Sequence, residues 1–351
     1  MSSSLTPSLI AAALSVLPSA GVAGISTTLL PQVPDERGFA GAFTGVQDHI
    51  LLAGGGANFP DGRMPWDGGT KVWHDKLFSL DLSKPDATWQ EIGKLPAANG
   101  YGVSLTVPEG VLLIGGGDAA RNFREVHLLT LEDTTPRFRA LPLLPEPLAQ
   151  MCGAMIGRKV HLCGGIVKPD STTASSKHWV LDLDAMENGW KEEAGLPAPS
   201  RILATAAAVD ESFFVMGGCS LAPDDQGKPK RTYLQDAWMF KDGRWTQLAD
   251  MPRPAVGAAT PAPVVNHSLL LVSGDDGTQV GIAKPEEHKG FARDVHRYDL
   301  VSGTWSKDGM LTLPPPVTLA VAPWKDGTIF FNGEVRPGVR TNQVFILHPD
   351  R

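Results

Sequence analysis

Six apolar runs rich in β-forming residues each end in a pair of small residues, and this repeat is the strongest constraint on the fold. The pairs, called doublets here, are Gly54-Gly55, Gly115-Gly116, Gly164-Gly165, Gly217-Gly218, Ser273-Gly274 and Asn332-Gly333. They recur every 50 to 60 residues or so, about the length of a four-stranded blade with one long loop. A lone four-stranded sheet cannot bury both faces, whereas radially packed sheets can. The sequence therefore predicts an all-β chain, folded as a six-bladed β-propeller.

A second repeat runs in step with the doublets. Five aromatic residues are each followed six residues later by Leu or Met: Trp89, Phe138, Trp190, Trp245 and Trp305. Aromatic side chains of this size are usually buried and contribute large apolar areas to a core. We expect each to lie on an outer strand, in the wide end of the wedge between blades, and to take no part in chemistry.

The two ends of the chain predict how the domain is bounded. Leu9 to Leu17 is apolar and small residues follow it, so residues 1–23 resemble a signal peptide, although no Lys or Arg precedes the apolar run. The stretch is too short to span a membrane. A periplasmic or secreted location follows if the segment is a signal, and a cytoplasmic one if it is not.

Residues 24–351 are predicted to form a single propeller, with 38 Gly and 29 Pro marking its many turns. The last blade has strand-like segments at 317–322, 328–331 and 344–347, but the chain stops before an outer strand. The segment 25–34 resembles the outer strands elsewhere. We therefore expect this N-terminal segment to supply the outer strand of the last blade and close the ring.

Three cysteines, Cys152, Cys163 and Cys219, lack metal-ligand spacing. A bridge between Cys152 and Cys163 is conceivable, and buried free thiols are the preferred interpretation. The sequence predicts neither a metal site nor a cofactor.

The longest connections follow the doublets, so they should share one face of the propeller and frame its mouth. They span 57–74, 118–124, 166–177, 219–235, 275–293 and 335–341 and hold 14 Lys and Arg against 10 Asp and Glu, although the whole chain has a net charge of −7. This mildly basic mouth favours a small anion. The charges are too scattered for nucleic acid, which needs a dense basic stripe.

The residue after each doublet should point toward the mouth. These residues are Gly56, Gly117, Ile166, Cys219, Asp275 and Glu334. Glu334 is followed closely by Arg336 and Arg340. A carboxylate can act as a general base and a guanidinium can bind a substrate carboxylate, but the same residues could form an ion pair at the rim.

Two segments resemble one enzyme family. Asn332 to Thr341 and Gly38 to Phe59 are similar to stretches of the N-acetylneuraminate epimerases, the sialic acid mutarotases built on kelch-type propellers. In better-known members the counterpart of the Glu334 segment comes before the counterpart of Gly38 to Phe59, whereas in this chain it comes last. This chain therefore resembles a cyclically permuted branch of the family.

The resemblance implies that Glu334 is the catalytic acid/base and that Arg340 engages the substrate, with Arg336 where the family can have Lys. It implies interconversion of the α and β anomers of N-acetylneuraminate or a related sugar acid, with no metal or redox cofactor. The expected partner is that small molecule, with neither nucleic acid nor a membrane involved. Further pocket candidates follow from loop position alone: Asn58, Lys71, Trp73, Asp118, Arg121, Arg201, Asp275, Asp276 and Arg293.

Asp275 is also a candidate second acid. The acidic residues Asp75, Glu125, Asp236 and Asp294 recur just before a strand, which indicates an architectural role.

Two other classes of function stay open. A kelch-type propeller can be a binding module without catalytic activity. A sialidase would carry repeated Ser-x-Asp-x-Gly-x-Thr-Trp boxes, and Ser302-Gly303-Thr304-Trp305 lacks the Asp. A copper oxidase of the galactose oxidase type also fits poorly, because the chain has three Tyr and no clear Cys–Tyr pair flanked by His.

Overall fold

The computed structural model describes residues 24–349, which form β-strands and no α-helix. Three short 3-10 helices, Pro65–Asp67, Met186–Asn188 and Pro285–Glu287, lie in connections. The predicted all-β class is therefore confirmed. The predicted signal peptide, residues 1–23, lies outside the described residues. None of the helices between residues 24 and 349 is long and apolar enough to cross a membrane.

Six antiparallel sheets of four strands each make up most of the structure. The first contains Phe43–Gln47, Ile50–Gly54, Lys76–Asp81 and Gln90–Lys94, and the second contains Val103–Val107, Gly110–Ile114, Val126–Glu132 and Thr135–Ala140. The third contains Cys152–Ile156, Lys159–Cys163, His178–Asp182 and Lys191–Glu193, and the fourth contains Thr205–Val209, Ser212–Met216, Ala237–Lys241 and Arg244–Gln247. The fifth contains Val264–Val265, Ser268–Leu271, Asp294–Asp299 and Thr304–Met310.

The sixth sheet joins the two ends of the described chain. It contains Val321–Trp324, Gly327–Phe331, Val344–His348 and the N-terminal strand Ser26–Leu30. Ser26 lies opposite His348 and Leu30 opposite Val344. The first of these strands begins at Val321 rather than at residue 317 as expected, because the residues before it turn toward the other sheets.

Smaller sheets lie in the long connections. Ala57–Asn58 pairs with Val72–Trp73, and Glu334–Arg336 pairs with Val339–Arg340. Arg201–Ile202, Cys219–Pro223 and Pro229–Tyr233 form a three-stranded sheet. These short pairings give the loops of the predicted mouth a defined backbone.

The doublets share one backbone conformation. Both residues of Gly115-Gly116, Ser273-Gly274 and Asn332-Gly333 have positive φ, which glycine adopts without strain. At Gly333 an added Cβ would lie 2.8 Å from the Val317 carbonyl oxygen, so a second constraint requires glycine there.

The first doublet corrects the sequence interpretation by one residue. Gly55 and Gly56 both have positive φ, whereas Gly54 ends a strand. Gly55 donates to the Lys76 carbonyl just as Gly115 donates to that of Glu125. The structural doublet is therefore Gly55-Gly56, and Ala57, rather than Gly56, is the residue equivalent to Glu334.

A closed circle of backbone hydrogen bonds connects the six sheets. Each member is a residue of positive φ near the first strand of one sheet. Each amide donates to the carbonyl of the member before it in the sequence, and the first member donates to the last. The members are Gly41, Tyr101, Gln150, Leu203, Gly257 and Thr318, with donor–acceptor distances of 2.7 to 2.9 Å. We call this circle the axial ring. It places one residue from every sheet at a common point.

The outer aromatics also connect sheets. The indole N–H of Trp190 donates to Pro142, that of Trp245 to Ala194 and that of Trp305 to Ala249, in each case to the carbonyl of the preceding sheet's outer region. Trp89 donates in the same way to Pro31, just after the N-terminal strand. These contacts, together with apolar clusters between neighbouring sheets, agree with the expected structural role.

The three cysteines are buried free thiols. Two of the recurrent acidic residues are architectural, since Asp236 is paired with Arg201 at 2.7 Å and Asp294 with Arg253 at 3.4 Å.

Candidate active site

A cavity of about 410 Å³ lies against the axial ring. Tyr101, Gln150, Leu203 and Thr318 of the ring line it, and loops supply the rest of its wall. Its charged lining residues are Lys71, Asp118, Arg231, Glu334 and Arg340. The cavity thus contains the two residues that the resemblance assigns to catalysis.

Glu334 is held in place by its backbone. Its amide donates to the Val317 carbonyl and its carbonyl accepts from the Val317 amide, directly after the doublet. The chain then turns at Gly338, where φ is +77°, so that Arg340 lies opposite Glu334 in a two-stranded hairpin. The register of this hairpin therefore places the carboxylate of Glu334 beside the guanidinium of Arg340.

The side chains of Glu334 and Arg340 form a largely buried ion pair. Nη1 of Arg340 is 2.7 Å from Oε2 of Glu334, and the side chains are 5% and 20% exposed for Arg340 and Glu334 respectively. Such a pair is more than a rim contact, because both charges have lost most of their water. The ion pair that the sequence offered as an alternative therefore exists, but it lies in the cavity wall rather than at the rim.

Arg340 retains hydrogen-bonding capacity beyond Glu334. Its Nε donates to the Ala57 carbonyl at 3.4 Å, and its guanidinium carbon lies 4.8 Å from the centre of the Phe59 ring. Despite its short contact with Glu334, Nη1 makes no hydrogen bond of good geometry, and no hydrogen bond from Nη2 occurs within residues 24–349. The guanidinium is therefore held in place, but some of its N–H groups donate no hydrogen bond within residues 24–349.

The environment of Glu334 raises the pKa of its carboxyl group above the ordinary value. Burial raises the pKa of its carboxyl group, and Asp275 adds to the rise, whereas Arg340, Lys71 and the Gly338 backbone oppose it. The net direction is upward. A carboxyl group with a raised pKa exchanges protons more readily at neutral pH than an ordinary one.

Lys71 also lines the cavity, and its ammonium lies near two aromatic rings. Its Nζ is 4.6 Å from the centre of the Trp73 ring and 4.2 Å from that of Tyr101. Contacts of this length are typical of cation–π interactions. Lys71 forms no ion pair within 4 Å among the residues that the structure describes.

Asp275, the candidate second acid, is close enough to influence Glu334 but does not line the cavity. The Tyr233 hydroxyl donates to its Oδ2 at 2.7 Å, and the Gly277 amide donates to its Oδ1. Burial and this carboxylate raise the pKa of Tyr233. A role for Asp275 in substrate binding or acid catalysis stays a prediction.

The remaining predicted substrate-binding residues lie elsewhere. Asn58 is fully buried, donates to Gly38 and Asp35, and contacts His74 through its carbonyl oxygen. Arg121 is exposed and stacks on Phe123. Arg336 is exposed, with a 3.5 Å contact to the Glu286 carbonyl. The structure does not place these three side chains on the cavity wall.

Among the candidates named from loop position, Lys71, Trp73 and Asp118 line the cavity. Arg293 donates to three successive carbonyls from Leu311 to Leu313, and Asp276 accepts from the Thr278 amide and hydroxyl. Arg201 is committed to Asp236. The last three side chains therefore stabilise loops and sheets.

Sequence reasoning missed the residues that the axial ring contributes. Tyr101 and Gln150 precede inner strands rather than following a doublet, and they form the floor of the cavity. Oε1 of Gln150 is buried and accepts no hydrogen bond from the described residues. The one available signal was their repeated position just before the first strand of a sheet.

No group of three or more His, Cys, Asp or Glu residues suited to a metal ion is found between residues 24 and 349. The structure does not test the prediction that the protein needs no cofactor.

Comparison with known proteins agrees with the resemblance seen in the sequence. Residues 24–135 match the family model of N-acetylneuraminate epimerase. The N-acetylneuraminate epimerases of Salmonella enteritidis PT4 and Vibrio vulnificus YJ016 are 37% identical over 106 residues and 36% identical over 103 residues. Each match covers 27% of this chain and 27% of the relative, so the aligned part spans about a quarter of the curated relatives' length.

The solved structure of YjhT matches with a TM-score of 0.67 at 16% sequence identity. The match covers 90% of this chain and 96% of the YjhT chain. At this identity it shows a shared fold over nearly the whole chain. The family match over residues 24–135 covers the N-terminal strand, the first sheet and the first three strands of the second sheet, whereas the likeness in fold to YjhT covers 90% of the chain.

Proposed function

We propose that this protein is a mutarotase that interconverts the α and β anomers of N-acetylneuraminate or a related sugar acid. The observation that supports this most directly is the Glu334 carboxylate, buried against Arg340 in the wall of a cavity of about 410 Å³. A cavity of this size suits a single small molecule. The match of residues 24–135 to the epimerase family adds independent support.

The proposed reaction needs one proton removed and one delivered in each direction. Glu334 takes the proton of the anomeric hydroxyl, the bond between the anomeric carbon and the ring oxygen breaks, and the ring oxygen receives a proton. Rotation about the adjacent carbon–carbon bond and closure on the other face reverse these transfers. A positioned water or the protonated Glu334 delivers the proton, and no electrons are exchanged.

Arg340 serves in this proposal both to hold Glu334 and to bind the substrate. Its Nη1 faces Glu334, and Nη2 is free to donate to the substrate carboxylate. Hydrogen bonds between ionised groups are among the strongest available in a site.

The export signal predicted in residues 1–23 would place the reaction in the periplasm or outside the cell.

We further propose that residues 24–351 form one six-bladed propeller closed by the N-terminal strand. Six four-stranded sheets, the axial ring and the pairing of Ser26–Leu30 with Val344–His348 support this arrangement. In a cyclically permuted relative, an alignment that follows chain order breaks where the order changes. The match that ends at residue 135 and the much longer structural match fit that expectation.

The test is proton NMR of N-acetylneuraminate anomer exchange, starting from freshly released α anomer. Wild-type protein should accelerate equilibration, and Glu334→Gln should lose about 10²- to 10⁴-fold in rate, as expected for removal of a general base. Near wild-type exchange in Glu334→Gln would remove the assigned role. Without acceleration by wild type, a binding module would become the better interpretation.

A further inference from the structure

Two cations border Glu334, and they differ in what they are free to do. Arg340 is in contact with the carboxylate of Glu334, with the Ala57 carbonyl and with the face of Phe59. Among residues 24–349, the ammonium of Lys71 contacts the faces of Trp73 and Tyr101 and forms no ion pair. Arg340 is therefore paired with Glu334, whereas Lys71 has no ion-pair partner among the described residues.

We propose that Lys71 determines specificity by binding the carboxylate of the substrate, together with the free Nη2 of Arg340. This inference rests on the proposed function and adds to it the residue that selects an acidic sugar. An ammonium has three N–H donors, and cation–π contacts with two rings leave donors for an anion.

Charge balance supports the assignment. Lys71, Arg231 and Arg340 line the cavity against Asp118 and Glu334, which gives its wall one net positive charge when both carboxylates are ionised. A bound carboxylate would neutralise it. No acidic side chain of residues 24–349 forms an ion pair with Lys71, so the substrate would displace no protein partner.

The aromatic contacts explain why the ammonium is held in place. A free lysine side chain loses rotamer entropy when it binds a ligand. Trp73 is fixed by the strand pairing of Val72–Trp73 with Ala57–Asn58, and Tyr101 belongs to the axial ring. The two rings thus position the ammonium before the ligand arrives, which lowers the entropic cost of binding.

The first experiment measures binding, so that it is independent of turnover. Calorimetry compares N-acetylneuraminate with its neutral carboxamide, in wild type, Lys71→Met and Lys71→Arg. Wild type should favour the acid by about 10- to 100-fold, as expected for hydrogen bonds between charged groups. The preference should fall severalfold in Lys71→Met, where Nη2 of Arg340 alone remains, and largely survive in Lys71→Arg.

Lys325→Met is the matched control. Lys325 also lies over an indole, 5.2 Å from the centre of the Trp324 ring, but it lines a different cavity. This variant should bind both ligands as wild type does. Unfolding temperatures of all variants show whether a change in binding reflects a loss of folded protein.

A pH profile provides the second readout. The groups that act on Glu334 are Arg340, Lys71, Asp275 and the Gly338 backbone, and Lys71 is one of those that lower the pKa of Glu334. Lys71→Met should therefore move the acidic limb of the kcat/KM profile to higher pH. A limb that stays in place would contradict the influence of the Lys71 charge on Glu334.

The outcomes separate the two proposals. If wild type catalyses exchange and Lys71→Met keeps both its preference for the acid and its pH profile, the Lys71 inference is wrong and the mutarotase remains. If wild type prefers the acid through Lys71 but does not accelerate exchange, the mutarotase is wrong and the binding role stands. Binding of neither ligand by wild type would overturn both.

Discussion

At the scale of single residues, the proposed site depends on the guanidinium of Arg340. Arg340 pairs with Glu334 and opposes the rise in the pKa of Glu334 that burial causes, and its Nη2 makes no hydrogen bond within residues 24–349. Burying a carboxylate without a partner would drive it to its neutral form. The base and its partner therefore have to be understood as a unit.

Replacing Arg340 should change the pH dependence of activity as well as its level. In Arg340→Gln the pKa of Glu334 rises further, because its largest opposing influence is lost. Each unit of rise removes about tenfold of the ionised base at pH values below the pKa. The acidic limb of kcat/KM should shift to higher pH, and activity at pH 7 should fall about 10- to 100-fold and recover in part in alkaline buffer.

Anomer exchange measured from pH 5 to 9 checks this prediction. Arg137→Gln is the matched control, since Arg137 pairs with Glu132 at 2.9 Å on an exposed sheet edge, away from the cavity. It should leave the profile unchanged. An Arg340→Gln profile that keeps the wild-type acidic limb would contradict the assigned influence of Arg340 on Glu334.

The residue scale also shows what the sequence could predict. The sequence could predict that Glu334 and Arg340 lie together, because their short spacing places them in one hairpin. It could not predict that Asn58 lies away from the cavity, because its contacts with Asp35 and His74 depend on how distant segments pack. Tyr101 was missed because its place in the cavity follows from a hydrogen-bond circle that joins six sheets.

At the scale of elements, the doublets aim the residues that follow them. Two successive residues of positive φ turn the chain out of the second strand of each sheet and start the connection at a fixed angle. The sequence predicted five of the six positions, and at the first sheet three consecutive glycines concealed the register. Only the φ angles of Gly55 and Gly56 resolved it.

The last doublet should therefore matter for activity as well as for stability. Gly333 has φ of +107°, and an added Cβ would lie 2.8 Å from the Pro316 Cβ and from the Val317 carbonyl oxygen. Gly333→Ala should destabilise the protein by about 3 kcal/mol through strain and steric overlap. It should also move Glu334, so the rate per folded molecule should fall.

Gly243→Ala separates these effects. Gly243 has φ of +75° and nothing within 4 Å of an added Cβ, so the substitution should cost about 1 kcal/mol and spare the rate. Urea unfolding gives the stabilities, and anomer exchange of the folded fraction gives the rates. Equal losses of stability in the two variants would argue against the crowding at Gly333.

At the scale of the whole molecule, the proposed closure of the ring depends on the N-terminal strand. Ser26–Leu30 completes the sixth sheet, and Pro31 accepts the indole hydrogen bond of Trp89 from the first sheet. The N-terminal segment thus joins the two sheets at which the chain would otherwise separate. In a closed ring each sheet has two neighbours, and opening one joint leaves two sheets with one each.

Removing residues 24–34 should therefore lower the unfolding temperature by roughly 10 °C, because several kcal/mol of pairing and packing are lost. Thermal unfolding followed by circular dichroism measures the shift. An unchanged unfolding temperature would show that the segment does not close the ring. The predicted export signal is deleted from both proteins so that they differ in this segment alone.

Moving the segment, rather than deleting it, tests closure itself. Ser26 lies opposite His348 in the antiparallel pair, so a short turn after residue 349 can lead directly into a strand with the sequence of residues 25–34. Such a chain begins at residue 35 and keeps every pairing of the sixth sheet. It should regain the unfolding temperature and the anomer exchange lost on deletion. The same strand pairings and contacts between sheets form whichever end of the chain supplies this strand. A permuted chain that stays as unstable as the truncated one would mean that residues 24–34 act through their position in the sequence, and closure by strand pairing would then be wrong.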